Sequence, residues 1–179
     1  MTAVIEIRGE RSRNAILGAF VEQLFRDGFE NVSVQRIVRE AGIARSTFYE
    51  HFSSKEDVLR ASMARFFEVL ARCVSSDGKA AELTAVVSHF WDSRRLTDAV
   101  FAPAPRRILA LSLSEMIEAR LRENGEKLML PLRLAAIHLA EAQLALVEGW
   151  LRGRAFALPQ DIATALLESS RASKNALVR

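Results

Sequence analysis

Apolar residues recur at three- and four-residue spacing along almost the whole chain, and the strict alternation of a half-buried strand is scarce. The pattern predicts an all-α protein. A first helix is expected over Ser12 to Asp27, burying Ile16, Leu17, Phe20, Leu24 and Phe25, with Gly28 as the left-handed residue that ends it. Ser33 is a good N-cap for a short second helix that carries Val34, Ile37 and Val38 inward and stops at Gly42. A very short third helix is expected over Ala44 to His51. Ser53 and Ser54, followed by Lys55, Glu56 and Asp57, read as a capping box opening a longer helix that runs toward Asp77. Later helices are expected over Ala80 to Asp92, Arg94 to Phe101, Arg106 to Arg122, Pro131 to Leu151 and Gln160 to about Ser173. "SSDGK", "APAPR", "ENGEK" and "RGRAFALP" mark the breaks.

A chain of 179 residues, half of them hydrophobic, can bury a sizeable core in one or two domains. The single cysteine, Cys73, excludes an internal disulfide framework and fits a reducing compartment. The charged N-terminal stretch "MTAVIEIRGERSRN" lacks the apolar core of a signal peptide, and no uninterrupted apolar run approaches the roughly 18 residues of a membrane span, so a soluble cytoplasmic protein with no membrane partner is expected. A net charge of +3 invites a nucleic-acid reading, but the segment up to Asp57 holds eight Lys/Arg against nine Asp/Glu. DNA binding must therefore rest on where the charges stand, not on their total.

Two short helices joined by a tight glycine-containing turn, supported by a preceding helix, make a helix-turn-helix, whose second helix enters the major groove. Phe48 and Phe52 lie four apart and can both face a small core with Ile37 and Ile43. That leaves Arg45, Ser46, Thr47, Tyr49 and His51 outward or at the margin. Arg45 can hold a guanine in bidentate fashion, Thr47 can touch a thymine methyl, and Tyr49 and His51 can donate to phosphate. Lys55 would add a cation at the start of the next helix, beside amides that already favour an anion.

In these residues the sequence resembles the TetR family of bacterial transcriptional regulators. The likeness runs from Arg13 to Leu59, through the apolar first helix, "DGF", the hydroxyl N-cap, "AGI", "FYEHF" and "KEDVL". Ser46, Val38 and Phe20 depart from the family's usual Gly, Ala and small residue. The resemblance implies phosphate contacts from Ser33, Tyr49, His51 and Lys55 and base contacts from Arg45 and Thr47. It also implies an N-terminal three-helix helix-turn-helix domain over residues 9–56 and a C-terminal helical domain over residues 57–179 that binds a small-molecule effector and forms a homodimer on near-palindromic double-stranded DNA. The last two helices would pair across the dimer axis. Ala135, Leu139, Ala142 and Leu146 form one stripe at i, i+4, i+7 and i+11, joined by Ile162 and Leu166 on the last helix. The same stripe serves equally well as an ordinary core within one chain.

Phe66, Phe67, Leu70, Phe90, Trp91, Phe101, Met116, His138 and Trp150 are the candidates for a pocket lining, with plain core as the alternative for each. His89 and His138 stand without neighbouring ligands at metal spacing, so neither metal nor cofactor is expected. "SRR" at Arg94 and Arg95 and "PRR" at Arg106 and Arg107 read as solvated faces unless the effector is acidic. No nucleophile elbow or other catalytic arrangement is visible. The reading is a DNA-binding regulator, released from its operator by a small, mainly apolar ligand. An interaction protein without ligand response, or an enzyme or carrier with an incidental helix-turn-helix, are the alternatives.

Overall fold

The structure, a computed structural model, describes the backbone of residues 2–179 and the side chains of residues 9–179. Nine α-helices follow one another among the described residues: α1 (Thr2–Asp27), α2 (Val34–Glu40), α3 (Arg45–His51), α4 (Lys55–Arg72), α5 (Ala80–Asp92), α6 (Thr97–Val100), α7 (Pro103–Asn124), α8 (Leu132–Leu151) and α9 (Pro159–Ala176). Short 3-10 turns, Phe29–Asn31 and Arg94–Leu96, precede α2 and α6. The all-α class holds, with an N-terminal helix-turn-helix domain followed by a C-terminal helical domain.

Local chemistry explains most boundaries. The Ser33 hydroxyl accepts the Arg36 amide at 3.3 Å and caps α2. Gly42 takes the turn between α2 and α3 at φ 64°, a left-handed conformation that strains a side chain-bearing residue. Ser54 caps α4 by accepting the Asp57 amide, while the Asp57 carboxylate reaches back to the amide and hydroxyl of Ser53. The reciprocal bond of the capping box therefore lands one residue earlier than the usual pattern.

Three boundaries and the placement of one side chain differ notably from the sequence reading. Helix α1 begins before Ser12, since no proline interrupts the preceding residues. Helix α4 ends at Arg72 instead of running to Asp77, because the chain turns back over its last turn. A Cβ on Gly78 would stand 2.7 Å from the Arg72 carbonyl oxygen, and the Gly78 carbonyl accepts from Arg171 of α9 at 3.0 Å. "APAPR" is not a break: Pro103 and Pro105 lie in the first turn of α7, where a missing amide costs no intrahelical bond. Phe25, expected inward, is 52% exposed, one position off the buried face that Ile16, Phe20 and Leu24 define.

Helices α1 to α3 close around Ile16, Phe20, Phe29, Ile37, Phe48 and Phe52, all buried. Phe20 meets the edge of Phe29 with ring centroids 6.5 Å apart, so the bulkier residue is accommodated as part of this core. In the second domain α7 packs between α4 and α8, α8 meets α9, α9 meets α5, and α5 returns to α4, closing a ring of helices. Gln143, buried on α8, donates to the Leu70 carbonyl of α4 at 3.1 Å and to the Ser170 hydroxyl of α9 at 2.9 Å, pinning three helices at one point. The C-terminus is clipped to the α7–α8 loop by Met129 N–H to the Leu177 carbonyl and Arg179 N–H to the Lys127 carbonyl. Cys73 is buried, and burial pushes its thiol up to about 12, which leaves it unreactive near neutral pH.

Helix α8 corrects one expectation. Leu132–Leu151 is long and apolar enough to cross a membrane by length and composition. Half of that window is buried inside the chain, however, and Arg133, Glu141 and Glu148 on the same helix form ion pairs with α7 residues. The continuous apolarity is that of a central core helix packed on both flanks.

Phe20→Ala should remove about 3 to 5 kcal/mol of stability, through lost burial and the cavity left against Phe29. Urea denaturation followed by circular dichroism measures this, and a loss below about 1 kcal/mol would contradict the central place given to this ring.

Candidate nucleic-acid interface

Helix α3 presents its two faces as its spacing requires. Phe48 is fully buried and Phe52, just past the helix end, is 7% exposed. Arg45, Ser46 and Tyr49 are exposed, and Thr47 and His51 are half-buried at the margin. The Arg45 guanidinium lies 5.6 Å from the centre of the Tyr49 ring, with Nη2 donating to the Tyr49 hydroxyl at 3.3 Å. These two residues, one turn apart, are thus held together before any partner arrives. His51 sits against α1 at Gly9, with Cε1 3.8 Å from where a Cβ on that glycine would be. Arg13 of α1 lies over the Phe52 ring at 5.4 Å, bringing a further cation beside the end of α3 that the sequence reading did not single out.

Ser33 and Lys55 are placed differently from the other candidates. The Ser33 hydroxyl is engaged as the α2 cap. The Lys55 ammonium donates to the carbonyls of Phe29 at 2.9 Å, Glu30 at 3.2 Å and Val32 at 3.2 Å, and stands 4.6 Å over the Phe29 ring. Three carbonyls take all three of its donors, so Lys55 ties α4 to the turn before α2 instead of offering a free cation to phosphate. That corrects the expected phosphate contact. The missed signal was the run of carbonyls that a 3-10 turn leaves uncapped.

An ionic network fixes α2 on α1. Arg26 reaches Glu40 at 2.9 Å, Arg36 reaches Asp27 at 2.6 Å, and Gln23 donates to Glu40 at 3.1 Å. Partial burial works against charge on Asp27, but the hydrogen bonds from Arg36 and Arg26 prevail and hold its carboxyl below the ordinary range. For Glu40, desolvation is likewise outweighed by hydrogen bonds from Gln23 and Arg26.

The candidates for the ligand pocket do not converge on one cavity. A pocket of about 350 Å³ lies where the two domains meet, and of the nine candidates Phe90 and Phe101 line it. Phe66 supports it from behind, its ring 4.2 Å from that of Phe90. Phe67, Leu70 and Trp150 are buried core; Trp91 stacks on Trp150 at 4.6 Å. Met116 is half-buried on α7, and His138 is exposed on α8. Sequence reasoning missed Val21 and Leu24 of α1, Met63 of α4 and Thr97 of α6, while Arg95, read as solvated unless the effector is acidic, lies in the lining. No periodicity within one helix reveals a cavity shared by several.

The expected dimer stripe also divides. Ala135, Leu139, Ile162 and Leu166 are buried within the single chain, where α8 packs against α7 and α9; this corrects their assignment to a partner-facing surface. Ala142 is exposed and Leu146 half-buried. The outward stripe of α8 runs instead through Leu134 (53% exposed), Ile137 (38%), Ala142 and Ala145.

Residues 16–62 match the family described as bacterial regulatory proteins, tetR family. That match lies in the N-terminal helix-turn-helix segment. The matched segment contains α2, α3 and the first turns of α4. An HTH-type transcriptional regulator of Haemophilus influenzae is 37% identical over 59 residues, covering 32% of this chain and 29% of that protein. The fatty acid metabolism regulator protein of Bacillus subtilis is 32% identical over 81 residues, 42% of each chain. The chain thus spans less than half the length of either curated relative in these matches. A TetR transcriptional regulator from Streptococcus agalactiae superposes with a TM-score of 0.57 at 22% identity, over 95% of this chain and 99% of that one, which shows the shared fold.

Two outcomes are expected. Lys55→Met should cost about 1 to 2 kcal/mol by leaving the Phe29, Glu30 and Val32 carbonyls unpaired, measured by urea denaturation. A variant as stable as the parent would contradict the strut. Because Asp27 and Glu40 have depressed folded-state values, their contribution is complete above the ordinary carboxylate range and is lost as pH falls through the lower folded values, below about pH 4. The Asp27→Asn, Glu40→Gln double variant should therefore show a shallower acid limb in melting temperature, with the difference from the parent closing as pH drops.

Proposed function

We propose that this chain is a homodimeric, cytoplasmic DNA-binding transcriptional regulator of the TetR family, a repressor released from a near-palindromic operator by a small, mainly apolar ligand. The observation that carries the reading is α3, whose buried Phe48 and Phe52 leave Arg45, Ser46, Thr47 and Tyr49 on the free side of a seven-residue helix. That length and its exposed donors suit a major groove. Two relatives support it, one described as an HTH-type transcriptional regulator and one as a fatty acid metabolism regulator protein. Arg45 and Thr47 are assigned to base edges, Ser46 to close approach, and Tyr49, His51 and the cap at Ser33 to the phosphate side, with α3 within a DNA-binding domain over residues 9–56.

The effector site in this reading is the cavity at the domain junction, and α4 is the lever. Its first turn holds the helix-turn-helix through Lys55, whereas Met63 lines the cavity and Phe66 backs it. A ligand acts only through a difference in affinity between two spacings of the DNA-binding domains, and a coupling of about 1 to 3 kcal/mol changes occupancy some 5- to 150-fold.

An operator selected from random double-stranded DNA should carry two half-sites whose centres lie about 34 to 36 Å apart or a multiple of that. On that operator Arg45→Ala should cost about 1 to 3 kcal/mol and relax preference at one base pair per half-site. Equal loss on every sequence would remove Arg45 from base readout. Light scattering should find a dimer, and Ile137→Arg, which sets a charge in the outward α8 stripe, should give a folded monomer with much weaker operator binding. A parent protein that is monomeric at micromolar concentration, or an unaffected dimer in the variant, would reject this face.

A further inference from the structure

The junction cavity has a polarity that its apolar lining alone does not convey. Its interior is made by Leu24, Met63, Phe90, Val100, Phe101 and Leu151. No aspartate or glutamate lines it, and Arg95 is its one arginine or lysine. Among the described residues Arg95 forms no ion pair with a carboxylate, whereas nearby Arg152 binds Asp98 at 2.9 Å and Glu148 at 3.0 Å, and Arg94 donates to the Trp91 carbonyl at 2.9 Å. The Arg95 guanidinium rests 5.1 Å over the exposed ring of Phe25 on α1. A guanidinium offers a planar fork of donors that matches a carboxylate, and an aromatic ring satisfies it less well than an anion does.

We propose that this cavity takes an amphipathic monoanion, a carboxylate on a compact apolar body, with the carboxylate on Arg95 and the body among Leu24, Met63, Phe90 and Phe101. The inference rests on the reading of the cavity as the effector site and adds the chemical class and a route of regulation. The anion competes with Phe25 for Arg95. Phe25 lies next to Arg26, whose ion pair with Glu40 holds α2 on α1. Drawing Arg95 toward the cavity removes a contact between the second domain and α1, one residue from the network that orients the helix-turn-helix.

The test uses three probes of equal chain length and different charge: octanoate, 1-octanol and octylammonium, each titrated calorimetrically into the full-length protein without DNA. Octanoate should bind about tenfold more tightly than octanol, and octylammonium most weakly. Arg95→Gln should bring octanoate down to the level of octanol. Arg94→Gln, which removes an equal charge one residue away and outside this cavity, should preserve the preference. Equal affinity for octanoate and octanol, a preference that survives Arg95→Gln, or no binding of any probe would each overturn the proposal. Gel shifts on the selected operator separate it from the effector reading. Octanoate that binds through Arg95 without changing DNA affinity sinks the effector reading and leaves the anion site standing. Operator release by octanol, with no preference for octanoate, does the reverse.

Discussion

Helix α4 must satisfy two cores with one rigid element, and the rest of the structure is arranged around that constraint. Its N-terminal half buries Val58 and Leu59, and its C-terminal half buries Phe66, Phe67, Val69 and Leu70. Lys55 at its first position grips three carbonyls of the turn before α2, and the Leu70 carbonyl near its other end accepts from Gln143. A helix fixed at both ends transmits a displacement instead of absorbing it, because close-packed side chains resist continuous deformation. The cavity opens beside its middle, at Ser62 and Met63.

The helix-turn-helix sets two arginines at α3 without being a basic domain. Three of its acidic residues are engaged inside the motif: Asp27 and Glu40 bind Arg26 and Arg36, and Asp57 caps α4 and pairs with Arg60 at 2.7 Å. Arg45 on α3 is left facing outward beside Tyr49, and Arg13 beside Phe52. In a segment of near-zero net charge, the placement of charges and not their total sets the local potential.

The two domains touch through more than α4. Arg95, at the turn before α6, lies over Phe25 of α1, and Val21 and Leu24 of α1 reach into the same cavity as Phe90 and Phe101. A ligand between these elements would contact both domains at once, which is the geometry required for a bound molecule to favour one domain spacing over another.

Short-range chemistry was legible in the chain itself. The Ser33 and Ser54 caps, the left-handed Gly28 and Gly42 and the four-residue spacing of Ile16, Phe20 and Leu24 determine the helix-turn-helix, because each acts within one or two turns. Phe48 and Phe52 likewise identify the buried side of α3, and so the outward Arg45 and Tyr49. Tertiary structure alone decided the partners of side chains that reach across the fold. Lys55 has the same local setting as a free helix-start cation, yet carbonyls 23 to 26 residues away claim it. Ala135 and Leu139 carry the same periodicity as Ala142, but the positions of α7 and α9 bury the first two and leave the third outside. The cavity depends on four separated stretches of chain meeting, with Arg95 in its lining. Periodicity fixes which side of a helix is apolar; only packing determines what lies against it.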